Sequence, residues 1–174
     1  MNSDARPPSN SSRRDGKISP AAAWHYGQVR FALRTASAAD VDAIVALWQQ
    51  AAENDSRPPD TAEAVLALLG RDPEAVILAD HDGALIGSII AGWDGWRYHL
   101  YRLAVRPDWR KQGVGSALLS AAENRLRALG ATRLDAMVLD GNDLGQSLWQ
   151  ARGYRRQDDW RRWVKLAHPR SPED

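Results

Sequence analysis

Three apolar segments separated by two turn signals, within residues 75–105, constrain the fold more than any other feature of this sequence. The segments read AVILAD, ALIGSIIAGW and WRYHLYRLAV, and they are separated by DHDG and by the pair Asp94-Gly95. Asp-Gly pairs between short apolar runs are typical of β-hairpins. The region therefore predicts an antiparallel meander of three strands at the centre of a larger sheet.

Extended and helical patterns precede this meander. VRFALRTA alternates like a strand, and Ser37 and Asp40 form a capping-box pattern ahead of an amphipathic helix. A second helix, TAEAVLALL, is predicted with Asp60 and Glu63 at its N-terminal cap and Gly70 as its stop. These segments predict one strand followed by two helices.

A βαβ unit and a hairpin are predicted after the meander. A long helix begins near Gly115 and ends at Gly130, and TRLDAMVL predicts the strand that follows it. DLGQSLWQAR predicts a further helix, and YRRQ with WRRWVKLA a final hairpin. With one βαβ crossover around residues 97–139, this order predicts an α/β fold with a mixed, mostly antiparallel sheet flanked by helices.

Composition and charge limit the function classes. The chain has no cysteine and only four scattered histidines, so we expect neither a thiolate nucleophile nor a metal site. Its formal net charge is +1, which argues against a nucleic-acid partner. No apolar run approaches the roughly 20 residues of a membrane span, and the N-terminal sequence lacks the apolar core of a secretory signal. We therefore expect no membrane partner and a cytoplasmic location.

The length of 174 residues predicts one domain. Residues 1–27 are rich in Ser, Pro, Asn and Arg without periodicity, which predicts a disordered N-terminal arm. We expect the folded domain to span residues 28–168 and a short tail to follow at 169–174.

The junction between the third meander strand and the long helix carries Arg110, Lys111, Gly113 and Gly115. The first N–H groups of a helix lack intrahelical partners and attract anions, and glycines let a ligand approach the backbone. The spacing therefore predicts a phosphate cradle, with the amides of residues 112–116 as donors. Glycines that only shape a turn are the alternative.

Two familiar phosphate loops are excluded at this junction. A Walker loop needs Lys followed by Ser or Thr after its last glycine, but Ser116-Ala117 follows here. A dinucleotide loop needs a third glycine where the chain has Leu118.

Two motifs carry a resemblance to a known family. VRPDWRKQGVGSALL resembles the R-x-x-G-x-G/A loop of the GNAT family of N-acetyltransferases, with Arg110, Gly113 and Gly115 at the motif positions. NDLGQSLWQARGY resembles the family's N-x-x-A-x-x-L-Y-x-x-x-G-F segment. The resemblance covers about residues 29–166 and implies the GNAT fold with acetyl-CoA as co-substrate.

The resemblance also implies a set of coenzyme A contacts. The backbone of the third meander strand would hold the pantetheine arm, the glycine-containing loop would hold the pyrophosphate, and the later helix would line the far wall. In that order, the residues are Leu103, Ala104 and Val105; Arg110, Lys111, Gln112, Gly113, Val114, Gly115 and Ser116; and Asn142 with Trp149.

The implied reaction is direct attack of a primary amine on the acetyl thioester in a ternary complex. The backbone N–H near Leu103 would stabilise the oxyanion, and His99 stands where the family often places a base. Alternation is expected to put His99, Tyr101, Leu103 and Val105 on one strand face. Trp149 replaces the tyrosine that often serves as the acid, so Tyr101, Tyr154 or water takes that part, or the thiolate leaves unprotonated.

The acceptor is left open between a small molecule and a protein N-terminus or lysine. Its wall would come from ENDSRPPD, GWDGWRYH and RRQDDWRRW, where Trp93 and Trp96 could stack on an ammonium group. The carboxylates that could receive it are Asp94, Asp55, Asp60, Asp158 and Asp159. A homodimer is one assembly that the resemblance allows. The alternative function is an acyl-CoA-binding or regulatory module of the same fold without turnover, suggested by Trp149.

Overall fold

The computed structural model describes residues 22–26, 29–51 and 59–165. Six strands form one sheet in which their spatial order follows the sequence. The first four pairs of neighbours are antiparallel and the last pair is parallel. The predicted mixed, mostly antiparallel sheet is therefore confirmed. The strands are β1 (Ala22–Tyr26), β2 (Val29–Thr35), β3 (Val76–His81), β4 (Ala84–Trp93), β5 (Tyr98–Val105) and β6 (Asp135–Ala136).

Four α-helices accompany the sheet over the described residues: α1 (Val41–Gln50), α2 (Ala62–Arg71), α3 (Val114–Ala128) and α4 (Asp143–Ala151). Short 3-10 turns at Ala38–Asp40 and Pro107–Trp109 precede α1 and α3. β5, α3 and β6 form the predicted crossover, although β6 has two residues where eight were expected. Met137, next in the chain, is exposed to solvent. Within the described ranges, no helix is long and apolar enough to cross a membrane.

β1 extends the sheet into the segment predicted to be a disordered arm. Its residues pair antiparallel with β2, from Ala22 opposite Leu33 to Tyr26 opposite Val29. The ordered chain therefore begins before residue 28, and the arm prediction needs correction at 22–26. The rest of that arm, 1–21, and the predicted tail lie outside the described residues.

The core lies on both faces of the sheet. α1 packs on one face, where Ile44, Leu47 and Trp48 are buried with Leu78 and Ile90. α3 packs on the other face and buries an apolar stripe against the central strands. The stripe consists of Val114, Ala117, Leu118, Leu119, Ala122 and Leu126. A helix on each face thus fixes β4 and β5 between α1 and α3.

α2 differs in detail from its prediction. Its N-terminal cap is Thr61, whose hydroxyl accepts from the Ala64 N–H at 3.2 Å, and not Asp60. Asp60 instead forms an ion pair with Arg102 of β5. Gly70 lies inside the last turn, and the helix ends one residue later at Arg71.

The chain divides into two compact units between Met137 and Val138, and α4 belongs to the second. In the second unit, residues 154–165 contain no strand, so the predicted final hairpin is wrong over this range. The apolar residues Trp160, Trp163 and Val164 do not alternate, and all three are exposed. A strand needs alternate positions to bury one face, and this segment offers no such face.

A charged cluster connects the start of α1 to strands β2 and β3. The Arg34 guanidinium donates two bonds to the Asp40 carboxylate, at 2.7 and 2.8 Å, and a third to Asp80 at 2.5 Å. Asp40 also accepts from the Ser37 N–H at 2.8 Å, which is one half of the predicted capping box. Arg34 foremost, and Ser37 in addition, hold the pKa of the Asp40 carboxyl well below its usual range.

Replacing Asp40 by asparagine is expected to reduce the free energy of unfolding at pH 7 by about 1–3 kcal/mol, because hydrogen bonds to a charged group are lost. Since the pKa of Asp40 is lowered in the folded state, the wild-type advantage is complete above the unfolded pKa of about 4. It should shrink as the pH falls below that value, and urea unfolding at several pH values measures the trend.

Asp42→Asn is the matched control, since Asp42 lies exposed two residues further on. We expect it to change the free energy of unfolding by less than about 1 kcal/mol. A gap between Asp40→Asn and wild type that stays constant from pH 7 to pH 2.5 would contradict the assigned ion pair.

Candidate active site

A β-bulge interrupts β5 in the middle of the sheet. Tyr101 pairs with Ile90 of β4 and Ala104 pairs with Ser88, so two residues of β5 lie opposite Ile89 alone. These two residues are Arg102, with a φ of 48°, and Leu103. A bulge adds one residue to one strand and bends it away from its neighbour. Leu103, the expected oxyanion donor, therefore lies at the irregular point of the strand.

The bulge overturns the expected alternation along β5. Tyr101 and Ala104 share the face of the sheet on which Ser88 contacts Trp48. Val105 pairs with Gly87, whose missing side chain faces Leu118 of α3 on the other side. The expectation that His99, Tyr101, Leu103 and Val105 share one face is therefore wrong beyond Tyr101, because the extra residue shifts the period by one.

The N-terminus of α3 lies directly after β5. Gly113 caps the helix with a φ of 80°, a conformation that favours glycine. The Ala117 N–H donates to the Gly113 carbonyl at 3.0 Å and closes the first turn. Val114, Gly115 and Ser116 precede Ala117, whose N–H makes the first hydrogen bond of the helix. The first turn of α3 carries no acidic side chain. This end of the helix is suited to an anion.

The cations of the loop lie beside this helix end. The Arg110 Nε donates to the carbonyl of Val105 at 3.2 Å, so its guanidinium joins the end of β5 to the loop. Lys111 follows with a φ of 61° and is exposed. Gln112 donates from Nε2 to the carbonyl of Asp108 at 2.8 Å. Loop and strand end thus come together, and the predicted phosphate contacts of these residues stay predictions.

The turn that enters the loop is anchored on the sheet. The rings of Trp109 and His81 lie 4.6 Å apart, and His81 Nδ1 is 2.5 Å from the carbonyl oxygen of Arg30. The Trp109 and Arg110 amides donate to the carbonyls of Arg106 and Pro107, at 2.9 and 3.4 Å. These contacts hold the loop in place ahead of Gly113.

His99 and Tyr101 lie together on β5, with stacked rings 5.7 Å apart. A Cβ added to Gly92, opposite His99, would approach the Tyr101 ring to 2.7 Å, so any side chain there would force the ring to shift. Burial raises the pKa of the Tyr101 hydroxyl, the Asp94 charge raises it further, and Arg71 opposes both. Tyr101 therefore holds its proton at neutral pH and can act as an acid or hydrogen-bond donor, not as a base.

The hairpin between β4 and β5 presents a carboxylate and aromatic rings. Asp94 accepts from the backbone N–H groups of Arg97 and Trp96 at 2.6 and 2.8 Å, and these bonds lower the pKa of the carboxyl. Trp93 stacks on Tyr98 at 6.1 Å, while Trp96 is 81% exposed. The hairpin thus offers an ionised carboxylate beside aromatic rings.

Two expected site residues lie in the second unit. Asn142 caps α4 and accepts from the Gly145 N–H at 2.7 Å. Trp149 is half-buried and meets the Tyr154 ring edge-on at 4.8 Å. Their contacts with coenzyme A stay predictions.

The sequence matches the model of the acetyltransferase (GNAT) family over residues 41–154. This chain belongs to the GNAT family. An acetyltransferase of Yersinia enterocolitica is 33% identical to this GNAT protein over 127 residues, which cover 72% of this chain and 89% of the relative. The family membership expected from the two motifs is therefore confirmed.

Solved structures share the GNAT fold. The PaiA N-acetyltransferase of Thermoplasma acidophilum, in complex with coenzyme A, has a TM-score of 0.67 at 19% identity, and the match covers 75% of this chain and 92% of that one. Diaminobutyrate acetyltransferase EctA of Paenibacillus lautus, in complex with diaminobutyric acid and coenzyme A, has a TM-score of 0.60 at 21% identity, covering 70% and 74%. The expected fold class is confirmed.

Sequence reasoning missed Arg102 and Gly92, and it gave Asp60 other roles. Arg102 and Asp60 meet at the bulge, and Gly92 makes room for Tyr101. An arginine within a strand pattern gives no signal of a positive φ. Gly92 did carry a signal, since a glycine inside a strand often marks a close approach.

Proposed function

We propose that this GNAT protein transfers the acetyl group of acetyl-CoA to a primary amine by direct attack in a ternary complex. The observation that carries the proposal is the N-terminus of α3 at the end of β5. There, Gly113 leaves the backbone open, the first-turn amides precede the helix ladder, and Arg110 lies alongside. These groups suit the pyrophosphate of coenzyme A.

The proposed contacts use mainly the backbone. The amides of residues 112–116 would donate to the pyrophosphate, with Arg110 and Lys111 adding charge. The β5 backbone of Leu103, Ala104 and Val105 would pair with the pantetheine arm like an added strand. The Val105 carbonyl already accepts from Arg110, so that arginine would serve both the strand end and the phosphate.

Each catalytic task has a candidate on or next to β5. His99 would take the proton of the acceptor's ammonium group so that a neutral amine attacks, and the Leu103 N–H would stabilise the charge that develops on the carbonyl oxygen. Tyr101 holds its proton at neutral pH and is the candidate acid for the departing sulfur. The other arrangement is departure of the thiolate without an acid, which a thiol pKa of about 8.5 permits.

The acceptor wall is proposed at the hairpin between β4 and β5. Asp94 is ionised by its backbone bonds and would attract an ammonium group, and Trp93 and Trp96 present apolar surface beside it. A small amine and a protein N-terminus or lysine both fit this chemistry. The ENDSRPPD segment, also expected in this wall, lies largely outside the described residues.

A non-catalytic acyl-CoA-binding module is the second candidate. Trp149 stands where the resembling motif has tyrosine, and an indole cannot protonate a thiolate. A cytoplasmic location, a homodimer, and the lack of a metal, a nucleic-acid partner and a membrane partner stay predictions from the sequence.

Thermal unfolding with and without acetyl-CoA tests the proposed donor. At 100 times its dissociation constant, a ligand of the native state adds about 2.7 kcal/mol to the free energy of unfolding. No stabilisation at millimolar acetyl-CoA would refute both candidates. Thiol release across amine and peptide libraries then separates them, since steady turnover on any acceptor excludes the non-catalytic module.

Replacing His99 by alanine is expected to lower kcat roughly tenfold at pH 7, less than the about 100- to 10,000-fold typical of a general base, since water can also take the proton. The deficit should shrink as the pH rises, because the amine then loses its proton to solvent. The pH dependence of kcat on one acceptor measures this. An unchanged rate at pH 7 would exclude His99 as the base.

A further inference from the structure

We propose that Arg102 and Asp60 form a positioning pair that fixes the bulge of β5 and thereby orients the Leu103 amide towards the acetyl group. The inference rests on the proposed function and adds to it two residues outside the family motifs. Neither side chain is proposed to touch the reacting atoms. Their effect passes through the backbone from Arg102 to the next residue.

The backbone of Arg102 lies in a conformation that a non-glycine residue rarely adopts. Its φ is 48°, within a strand, at the residue before the proposed oxyanion donor. Bulges that need a positive φ normally place glycine there, because a Cβ is crowded in this region. An arginine stays in such a conformation only where its surroundings hold it.

The side chain of Arg102 has two such contacts. Its guanidinium forms an ion pair with Asp60, whose side chain is only 6% exposed. The same guanidinium lies 5.6 Å from the centroid of the Trp48 ring, within the range of a cation–π contact. Asp60 lies one residue before the cap of α2 and Trp48 lies in α1, so α1 and the segment that enters α2 hold this arginine.

The carbonyl of Arg102 is held as well. Ser88 of β4 accepts a bond from Trp48 Nε1 at 2.8 Å, and its own hydroxyl donates to the Arg102 carbonyl at 3.4 Å. That carbonyl belongs to the same peptide unit as the Leu103 N–H. Because a peptide unit is planar, fixing the carbonyl direction also fixes the N–H direction.

Alanine and glycine variants at position 102 separate the effect of losing the guanidinium from the effect of backbone strain at the bulge. Alanine at position 102 removes the guanidinium and keeps the crowded Cβ, so the bulge should relax. Glycine removes the same group but tolerates the positive φ. If the pair acts by holding the bulge, glycine should retain more activity than alanine. If it only stabilises the fold, glycine offers no advantage.

The experiment measures kcat, the dissociation constant of acetyl-CoA and the amide NMR shift of Leu103 in the CoA and acetyl-CoA complexes. In Arg102→Ala we expect kcat to fall about 10- to 100-fold, as for a misplaced catalytic group, while acetyl-CoA affinity changes less than about threefold. The difference in Leu103 amide chemical shift between the CoA and acetyl-CoA complexes should be smaller in this variant than in the wild type. Arg102→Gly should recover a large part of kcat.

Two further variants complete the design. Asp60→Asn keeps the shape of the carboxylate without its charge and should lower kcat in the same way as Arg102→Ala. It replaces Arg102→Ala in the comparison if that variant does not fold. Arg34→Ala is the matched control, because Arg34 is also held by aspartates but lies on β2. We expect it to lower the melting temperature and leave kcat unchanged.

The outcomes separate this inference from the function on which it rests. A wild-type protein that shows no acetyl-CoA binding overturns both. Binding and turnover in the wild type, with equal kcat in the alanine and glycine variants or an unchanged Leu103 shift difference, overturn the positioning pair alone. A kcat loss in Arg34→Ala as large as in Arg102→Ala also overturns it, since general destabilisation would then explain the effect.

Discussion

Replacing Gly113 by valine is expected to weaken coenzyme A binding about 100-fold. The φ of 80° at this cap is costly for a β-branched side chain. Relief of that strain would turn the following amides away from the proposed phosphate position, and a Cβ would also stand where the phosphate approaches. Isothermal titration with coenzyme A measures the loss, which corresponds to about 2.7 kcal/mol.

Gly130→Val is the matched control for this prediction. Gly130 follows the other end of α3 with a φ of 97°, so valine there brings comparable backbone strain far from the first turn. Both variants should unfold at lower temperature than the wild type, and only Gly113→Val should lose affinity. Equal affinities of the two variants for coenzyme A would show that Gly113 only shapes the turn.

Replacing Arg125 by methionine is expected to reduce the free energy of unfolding by about 3 kcal/mol. The Arg125 side chain is 5% exposed and donates to the Ala91 carbonyl at 2.7 Å and to Asp72 at 2.5 Å. It thereby joins α3 to β4 and to the end of α2. Removing one partner of a buried charged pair leaves the other without compensation, which typically costs about 3–5 kcal/mol.

Urea unfolding measures this loss, and a chain of this length should show a melting temperature lower by roughly 10 °C. Arg133→Met is the control, because Arg133 is 63% exposed and pairs with Asp135 on the surface. Such a pair contributes at most about 1 kcal/mol. A loss below that value for Arg125→Met would contradict the role assigned to the buried guanidinium.

The sequence patterns predicted the elements in which local signals and burial agree. The meander follows from its Asp-Gly turns, and the structure places Asp82 and Gly83 at φ values of 49° and 80°, as a tight hairpin requires. Gly113 lies at the start of α3 with a φ of 80°, as a glycine turn there predicts, and the anion site favoured by the neighbouring cations stays a prediction. The fold class followed from the order of these elements.

The errors arise where tertiary contacts outweigh local pattern. Asp60 looked like a helix cap, but Arg102 of a distant strand takes its carboxylate and leaves the cap to Thr61. Arg102 at the bulge contacts Trp48 of α1 and Asp60 before the cap of α2. Both residues are more than 40 positions away in the sequence, so a local pattern could not predict these contacts. β1 was missed because its segment is short and follows a polar arm, although Gly27-Gln28, between the paired Tyr26 and Val29, is a glycine-first hairpin signal.

The loop before α3 would hold its phosphate with main-chain amides, whereas the hairpin between β4 and β5 presents side chains. A point mutation replaces a side chain but, except for proline, keeps the backbone N–H group. Under the proposed function, a substitution at Trp93, Asp94 or Trp96 would therefore change which amine is accepted, while the main-chain contacts proposed for acetyl-CoA would be kept.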